Sequence, residues 1–382
     1  MKASKKIAFL TGTRADFGKI KSLFQIVQDH PNFEAHIFVT GMHLIEKYGL
    51  TVQEIEKCNF RNIYKFSNET SEATMDLTLA KTIEGFSAYV KEIRPDLIVL
   101  HGDRVEALAG AIVGALNNIL VAHIEGGEIS GTVDELIRHS VSKLSHVHFV
   151  SNETAQKRLV QMGELEESIY NIGSPDIDIM FSEKLASLQE VKDYYRIPFS
   201  EYAVAMFHPV TTEFSKMSTY AKNFVDALLA DHHNYIVIFP NNDLGSDDIL
   251  KQYERLKGND RFKIFPSVRF EFFLVLLKNA AFIVGNSSAG IREAPYYGIS
   301  TINIGTRQEN RALHAHIINT SYQEKDILKA LQEPHPVMDP FIPAFGDGKS
   351  GEKFLESLLS RGFWKINHQK QFLDILTSSI LL

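Results

Sequence analysis

The sequence predicts an α/β protein built from two doubly wound parallel-sheet domains facing each other across a cleft, and three observations lead there. Short apolar runs alternate with amphipathic segments, the pattern of successive strand and helix units. That pattern is interrupted at Gly173-Ser-Pro-Asp176, where glycine and proline punctuate the chain, and then begins again. At 382 residues the chain is long enough for two hydrophobic cores. The expected division is an N-terminal domain over 1–173, a C-terminal domain over 174–360, and a segment, 361–382, crossing back to the first.

Residues 7–10 read as a buried strand, and the helix after it carries Phe17, Ile20, Leu23, Phe24 and Val27 on one face until His30-Pro31 stops it. A strand at 35–39, a helical region over 79–93 and a strand from Asp96 to His101 follow. The 104–116 helix is rich in alanine and glycine, which suits close packing on a sheet. Strands at 119–124, 146–150 and 168–172, with a helix over 152–162, complete the first series. The second has strands at 202–207, 235–239, 262–265, 282–284 and 301–304. A last helix, around 352–359 and on past Trp364, is free to return to the first domain. Two such domains make the architecture called the B-type glycosyltransferase fold.

Lys plus Arg 40 against Asp plus Glu 47 gives a net charge of −7, which argues against nucleic acid as the main partner. Cys58 is the only cysteine, so no intrachain disulfide forms. The apolar run after Lys5-Lys6 is too short for a signal sequence, and no stretch approaches the roughly 20 apolar residues of a membrane span. A cytoplasmic protein with no membrane partner is expected.

The stretch 121–138 carries the densest chemistry. Glu125 ends a buried strand, Gly126, Gly127 and Gly131 permit a tight loop, and Thr132 caps a helix with Glu135 at N3. Glu125, Glu128 and Asp134 thus gather at the ligand edge of a parallel sheet, where carboxylates serve acid/base work. The plainer alternative is a surface Asp134–Arg138 pair four residues apart and a solvated Glu128.

Other strand ends add candidates. In Thr11-Gly-Thr-Arg-Ala-Asp16 the turn's N–H groups attract anions and Arg14 offers a phosphate-matching fork, unless Arg14 only pairs at the surface. In His101-Gly-Asp-Arg104 either Asp103 acts as a base while Arg104 holds a leaving phosphate, or Asp103 is a helix N-cap. His208 can donate to a phosphate or be hydrogen-bonded locally, and Phe239-Pro-Asn-Asn-Asp243 suits sugar hydroxyls. Gly285-Asn-Ser-Ser288 opens a helix whose amides, with Ser287 and Ser288, can cradle a diphosphate, and Glu293 can accept ribose hydroxyls. Arg307 supplies a further cation. The pairs His146/His148 and His314/His316 lack partners at metal spacing, so no catalytic metal is expected. No Gly-x-Gly-x-x-Gly follows the first strand, so no dinucleotide cofactor is expected either.

Taken together, Thr11-Gly-Thr-Arg-Ala-Asp, His101-Gly-Asp-Arg, His123-Ile-Glu-Gly-Gly-Glu, Gly131-Thr-Val-Asp, Ile137-Arg-His, His208-Pro-Val-Thr-Thr, Gly285-Asn-Ser-Ser-Ala-Gly-Ile-Arg-Glu and Gly305-Thr-Arg resemble the hydrolysing UDP-N-acetylglucosamine 2-epimerases of bacterial sialic acid biosynthesis. Ala15-Asp16 and Glu125-Gly-Gly-Glu128 favour that branch over the non-hydrolysing one. The resemblance implies release of UDP and formation of N-acetylmannosamine by elimination through a glycal and rehydration. It matches Asp103, Glu125 and Asp134 to the catalytic carboxylates and His208 to a motif histidine near the phosphates. It further implies that Arg14, Arg104, Ser287, Ser288 and Arg307 hold the diphosphate, Glu293 the ribose and the loop at Ser267 and Val268 the uracil, with Asn241 near the nucleotide sugar. Animal relatives carry a fused sugar kinase, and only the epimerase part is expected here. A homodimer or homotetramer is implied. The rivals are the same reaction on a diacetamido sugar nucleotide for legionaminic acid, and a B-fold glycosyltransferase using a UDP-sugar.

Overall fold

The computed structural model describes residues 4–72, 74–130, 133–182, 185–308, 316–335 and 345–374. Gly131, Thr132, His314 and residues 375–382 lie outside them, and with them the expected Thr132 cap and His314/His316 pair. One parallel sheet comprises β1 (Lys5–Thr11), β2 (Phe33–Val39), β3 (Ile63–Lys65), β4 (Leu97–His101), β5 (Leu120–Ile124), β6 (Val147–Val150) and β7 (Ile169–Asn171), ordered β3-β2-β1-β4-β5-β6-β7. A second comprises β8 (Ala203–Met206), β9 (Tyr235–Ile238), β10 (Phe262–Phe265), β11 (Phe282–Gly285), β12 (Ser300–Ile304) and β13 (Ile317–Thr320), ordered β10-β9-β8-β11-β12-β13.

Helices cover both faces of each sheet, so central strands are buried on both and mostly apolar: Ile98, Leu100, Val121 and Ala122 are fully buried. The strand order reverses between β1 and β4 and again between β8 and β11, and ligands of open parallel sheets bind beyond the carboxyl ends at such points. This is the predicted pair of doubly wound domains. The edge strands β3 and β13 escape a sequence reading because neither is an unbroken buried apolar run. Among the described residues no helix is long and apolar enough to cross a membrane.

The chain passes between the domains at 173–174 and returns at 345–346, and the two crossings touch. The Ser174 N–H donates to the Phe345 carbonyl at 2.6 Å. Gly173 has φ +84°, and a Cβ there would stand 3.0 Å from the Gly346 Cα. The return comes earlier than residue 361. The Ser350–Leu359 helix, which falls inside the expected 174–360 bounds yet reads from sequence as free to return, sends Phe354 and Leu358 into the first domain's core with Phe149 and Phe363. Its apolar stripe suits either core, and the path of the chain decides between them. The following residues stay on that domain: Lys370 Nζ donates to the carbonyls of Ser142, Lys143 and Ser145 at 3.0, 2.8 and 2.6 Å.

Phe354→Ala is expected to destabilise the protein by about 3–5 kcal/mol, as a buried aromatic lost from a packed core does. Urea unfolding checks it through a lowered midpoint. An unchanged midpoint would contradict this placement of the helix.

Candidate active site

The two switch points face each other and enclose a cavity of about 290 Å³. Asp103, Glu125, Asp134 and His208 line it together with the residues matched to the nucleotide sugar, whereas Glu128 stands outside the lining. After β1, Thr13 caps the Arg14–Asp29 helix in a capping box with Asp16, whose carboxylate accepts the N–H groups of Gly12 and Thr13 at 3.0 Å each. Arg14 is thereby set at the first helical position. Glycine at position 12 leaves room for the Glu106 side chain, whose carboxyl carbon would stand 2.8 Å from a Cβ there.

After β4, Arg104 rather than Asp103 occupies the N-cap position of the Val105–Leu116 helix. Asp103 accepts from Arg138 Nη2, so its carboxylate is held at the cavity wall instead of on the helix amides. The plainer reading of the 133–144 helix fails on burial. Asp134 and Arg138 are only 8% and 3% exposed, so they are no surface pair. Arg138 Nη1 donates to the Glu125 carbonyl at 2.7 Å, and Asp134 meets Arg307 of the other domain at 3.2 Å. Glu135 accepts from the Ser130 N–H at 2.8 Å, closing the entry of that helix.

Glu125 sits at the centre. Its φ of +63° is unusual for a residue with a side chain and corresponds to about 1–3 kcal/mol of strain, held by the surrounding packing. Gly127, at φ +76°, follows where a Cβ would stand 2.4 Å from the Ala155 carbonyl oxygen. The turn aims the Glu125 carboxylate at Arg292, which crosses from the second domain and donates through both terminal nitrogens at 2.8 and 2.7 Å. Ser174 also donates to Glu125, with Lys19 Nζ 3.6 Å and His101 Nε2 3.3 Å away. Burial favours the neutral acid, yet Arg292, Lys19 and His101 hold this carboxyl well below the usual range. Glu128 is no solvated loop residue either: it accepts from Arg292 at 2.9 Å and Ser151 at 2.6 Å.

Asp134 is the opposite case. Burial and the neighbouring Asp103 raise its pKa against the pull of Arg307. One cavity therefore holds a locked carboxylate and a carboxyl biased toward keeping its proton, the division that acid/base chemistry needs.

On the second domain, His208 follows β8, and its Nδ1 accepts the Asn241 N–H at 3.0 Å. Burial, Arg307 and Arg104 push its pKa well below 6.5, so the ring is neutral with its proton on Nε2. The expected helix after Ser287 and Ser288 is a single turn, Ala289–Arg292, followed by a 3₁₀ turn beginning Ala294-Pro295. A helix this short carries little dipole, so an anion there relies on individual amides, hydroxyls and arginines. Ser287 accepts from the Ala289 N–H at 3.3 Å. Arg307 donates to the Asn286 carbonyl at 3.1 Å, and Ser267 donates across the cleft to the Tyr48 carbonyl at 3.4 Å. Glu293 is 4% exposed, and its Oε2 makes no hydrogen bond among the described residues.

A family model described as UDP-N-acetylglucosamine 2-epimerase matches residues 25–359. The chain belongs to the UDP-N-acetylglucosamine 2-epimerase family. It is 49% identical to a UDP-N-acetylglucosamine 2-epimerase of Neisseria meningitidis serogroup B over 375 residues, covering 97% of this chain and 99% of the relative. It is 33% identical to the UDP-N,N'-diacetylbacillosamine 2-epimerase (hydrolyzing) of Legionella pneumophila, covering 93% and 95%. Among solved structures, a UDP-GlcNAc 2-epimerase from Neisseria meningitidis bound to UDP-GlcNAc superposes with a TM-score of 0.76 at 16% identity, over 93% of this chain and 99% of that one. That likeness supports the B-type fold.

In this epimerase-family chain, several residues in and beside the cavity have no role that is legible in the sequence alone. Arg292 lies inside the motif that runs from Gly285 to Glu293, yet nothing local shows that it reaches Glu125 in another domain. Lys19 lies on the helix after the anion-binding turn, and its Nζ is 3.0 Å from Asp176. In the sequence Asp176 reads only as part of the hinge. His101, 8% exposed at the side chain, ends β4 beside Glu125. The signal each offered was a charged or polar residue inside or at the end of an apolar pattern. Among the described residues, the grouping with metal-ligand spacing is Asp231, His232 and His233. It lies outside the cavity, and Asp231 already accepts from Tyr235 at 2.6 Å.

Arg292→Met should destabilise the fold by about 3–5 kcal/mol by leaving buried carboxylates without their cation. Glu125 has a depressed folded pKa, so its contribution is present above its ordinary 4.5 and disappears as pH falls through the folded value. The gap between variant and parent in denaturant unfolding should therefore be widest near neutrality and narrow on acidification. A gap independent of pH would contradict the pairing.

Proposed function

We propose that the protein hydrolyses and epimerises UDP-N-acetylglucosamine, giving N-acetylmannosamine and UDP for sialic acid biosynthesis. The observation that carries this reading is the grouping of Asp103, Glu125 and Asp134, in contrasting electrostatic surroundings, with Arg14, Arg104 and Arg307 around one cavity. The 49% identical relative is named for the epimerase reaction, and the 33% identical one for a hydrolysing reaction on a related sugar nucleotide. The second relative keeps a diacetamido sugar nucleotide as the alternative substrate.

In the proposed reaction the C1–O bond to UDP breaks as a carboxylate removes the C2 proton, leaving a 2-acetamidoglucal. Water then adds at C1, giving up a proton, and C2 receives a proton on the opposite face. A neutral sugar C–H is a weak acid, so bond cleavage at C1 runs ahead and positive charge develops there. Glu125, kept ionised by Arg292, supplies fixed negative charge against it. Asp103 lies close enough to Asp134 to raise its pKa, which suits an acid/base pair. Arg14, Arg104, Arg307, Ser287 and Ser288 hold the departing diphosphate with the His208 Nε2–H, and Glu293 takes the ribose. Ser267 and Val268 flank the uracil and Asn241 lies by the nucleotide. The same reading makes the protein a cytoplasmic homodimer or homotetramer.

Incubation with UDP-N-acetylglucosamine in deuterated water, without acceptor or added metal, tests it by proton and phosphorus NMR. Free UDP with N-acetylmannosamine deuterated at C2 is the expected outcome, and Asp103→Asn or Asp134→Asn should slow it at least about 100-fold. Glu125→Gln should do the same and also lower stability. UDP-N-acetylmannosamine as product would refute hydrolysis.

Glu293 generates a pH prediction. Burial and Asp176 lift its pKa to about 7 against the pull of Lys19 and Arg292. A carboxylate accepts ribose hydroxyls better than the acid does, so UDP affinity should rise as pH passes upward through about 7. Isothermal titration from pH 6 to 8 checks it, with Glu293→Gln flattening the dependence that remains after UDP's own ionisation is subtracted.

A further inference from the structure

The loop after β9 carries a carboxylate for which the proposed reaction has no use. Asp243, 6% exposed, accepts from Arg104 Nη1 at 2.8 Å, and its neighbour Asn242 accepts from Nη2 at 2.6 Å through Oδ1. The Asn241 side-chain amide donates to the second Asp243 oxygen. Arg104 comes from the end of β4 in one domain and Asp243 from the other, so the pair spans the cleft. The third donor, Nε, faces Glu106 at 3.8 Å. Both terminal nitrogens of Arg104 are thus directed at acceptors of the opposite domain, in the way a guanidinium fork receives phosphate oxygens.

We propose that Asp243 is an internal surrogate for the diphosphate: it competes with UDP for Arg104, latches the domains, and by re-forming its pair drives the product out. The inference rests on the proposed nucleotide site and adds regulation of product release to it. A diphosphate oxygen approaching the terminal nitrogens of Arg104 meets the position of Asp243, and the two anions repel at close range in a buried setting. Binding the diphosphate therefore requires Asp243 to give way. The apparent affinity is lowered by the fraction of molecules in which the latch is closed. A hydrolysing enzyme makes UDP in every turnover, and a carboxylate waiting beside the arginine hastens its departure.

Asp243→Asn keeps the shape and removes the charge. In isothermal titration the variant should bind UDP roughly three- to tenfold more tightly than the parent. Uridine, which has no diphosphate, should bind both equally. In steady-state assays the KM for the UDP-sugar and the UDP inhibition constant should fall, and kcat should fall with them as release slows. A residue that merely positions Arg104 predicts the reverse, a raised KM and weaker UDP binding, and that result overturns the latch. Equal UDP affinity overturns it as well. Folded parent protein that binds no UDP at all overturns the nucleotide site itself and the latch with it. Asp243→Ser, checked for folding by circular dichroism, repeats the test with a smaller side chain.

Discussion

The Arg292–Glu125 pair is the interaction on which the rest of the structure depends. It joins the two domains through two buried side chains, and it ties a left-handed residue at the end of β5 to a one-turn helix after β11. Around it lie Lys19, Glu128, Asp176 and Ser174, the last at the crossing between domains. Charges removed from water to this degree are tolerable only when compensated in good geometry, so each member constrains the positions of the others. Orientation of the domains and orientation of the central carboxylate are consequently one problem with one solution.

Two parallel sheets with the same kind of strand order make that solution reachable. Each presents a crevice where its strand order reverses, and the hinge brings crevice to crevice. Loops that are unremarkable alone become complementary in this arrangement: arginines of each domain reach carboxylates of the other, as Arg104 does to Asp243 and Arg307 to Asp134. The carboxylates then differ by environment rather than by type. Glu125 is held ionised beside Arg292, whereas Asp134 lies near Asp103 and retains its proton more readily. Contrast of this kind turns a cluster of acidic residues into a candidate acid/base site.

Much of this was legible in the linear chain, for identifiable reasons. Buried parallel strands are short apolar runs whatever surrounds them, so the central strands, the hinge at Gly173 and the loops after β1, β4, β5, β8 and β11 could all be located. Arg14, Asp103, Glu125, His208 and Ser287 then followed, because residues at the carboxyl ends of such strands face the ligand crevice. Edge strands β3 and β13 could not be seen, since an edge strand need not be apolar on both faces. The helix after Ser288 was overestimated, because its glycine- and proline-bounded segment supports one turn only.

Local pattern and composition, by themselves, determined the two-domain α/β architecture and the ends of the strands that matter, and the family came from the resemblance that the motifs carry. Pairing was decided only by tertiary structure. Arg138 turns to Asp103 and the Glu125 carbonyl, Arg292 becomes the partner of Glu125, and the Ser350–Leu359 helix joins the first domain. The physical reason is the same in each instance. Periodicity reports which face of an element is buried, but an ion pair or a docked helix depends on what a distant segment brings to that face, and that is set by the path of the chain in three dimensions.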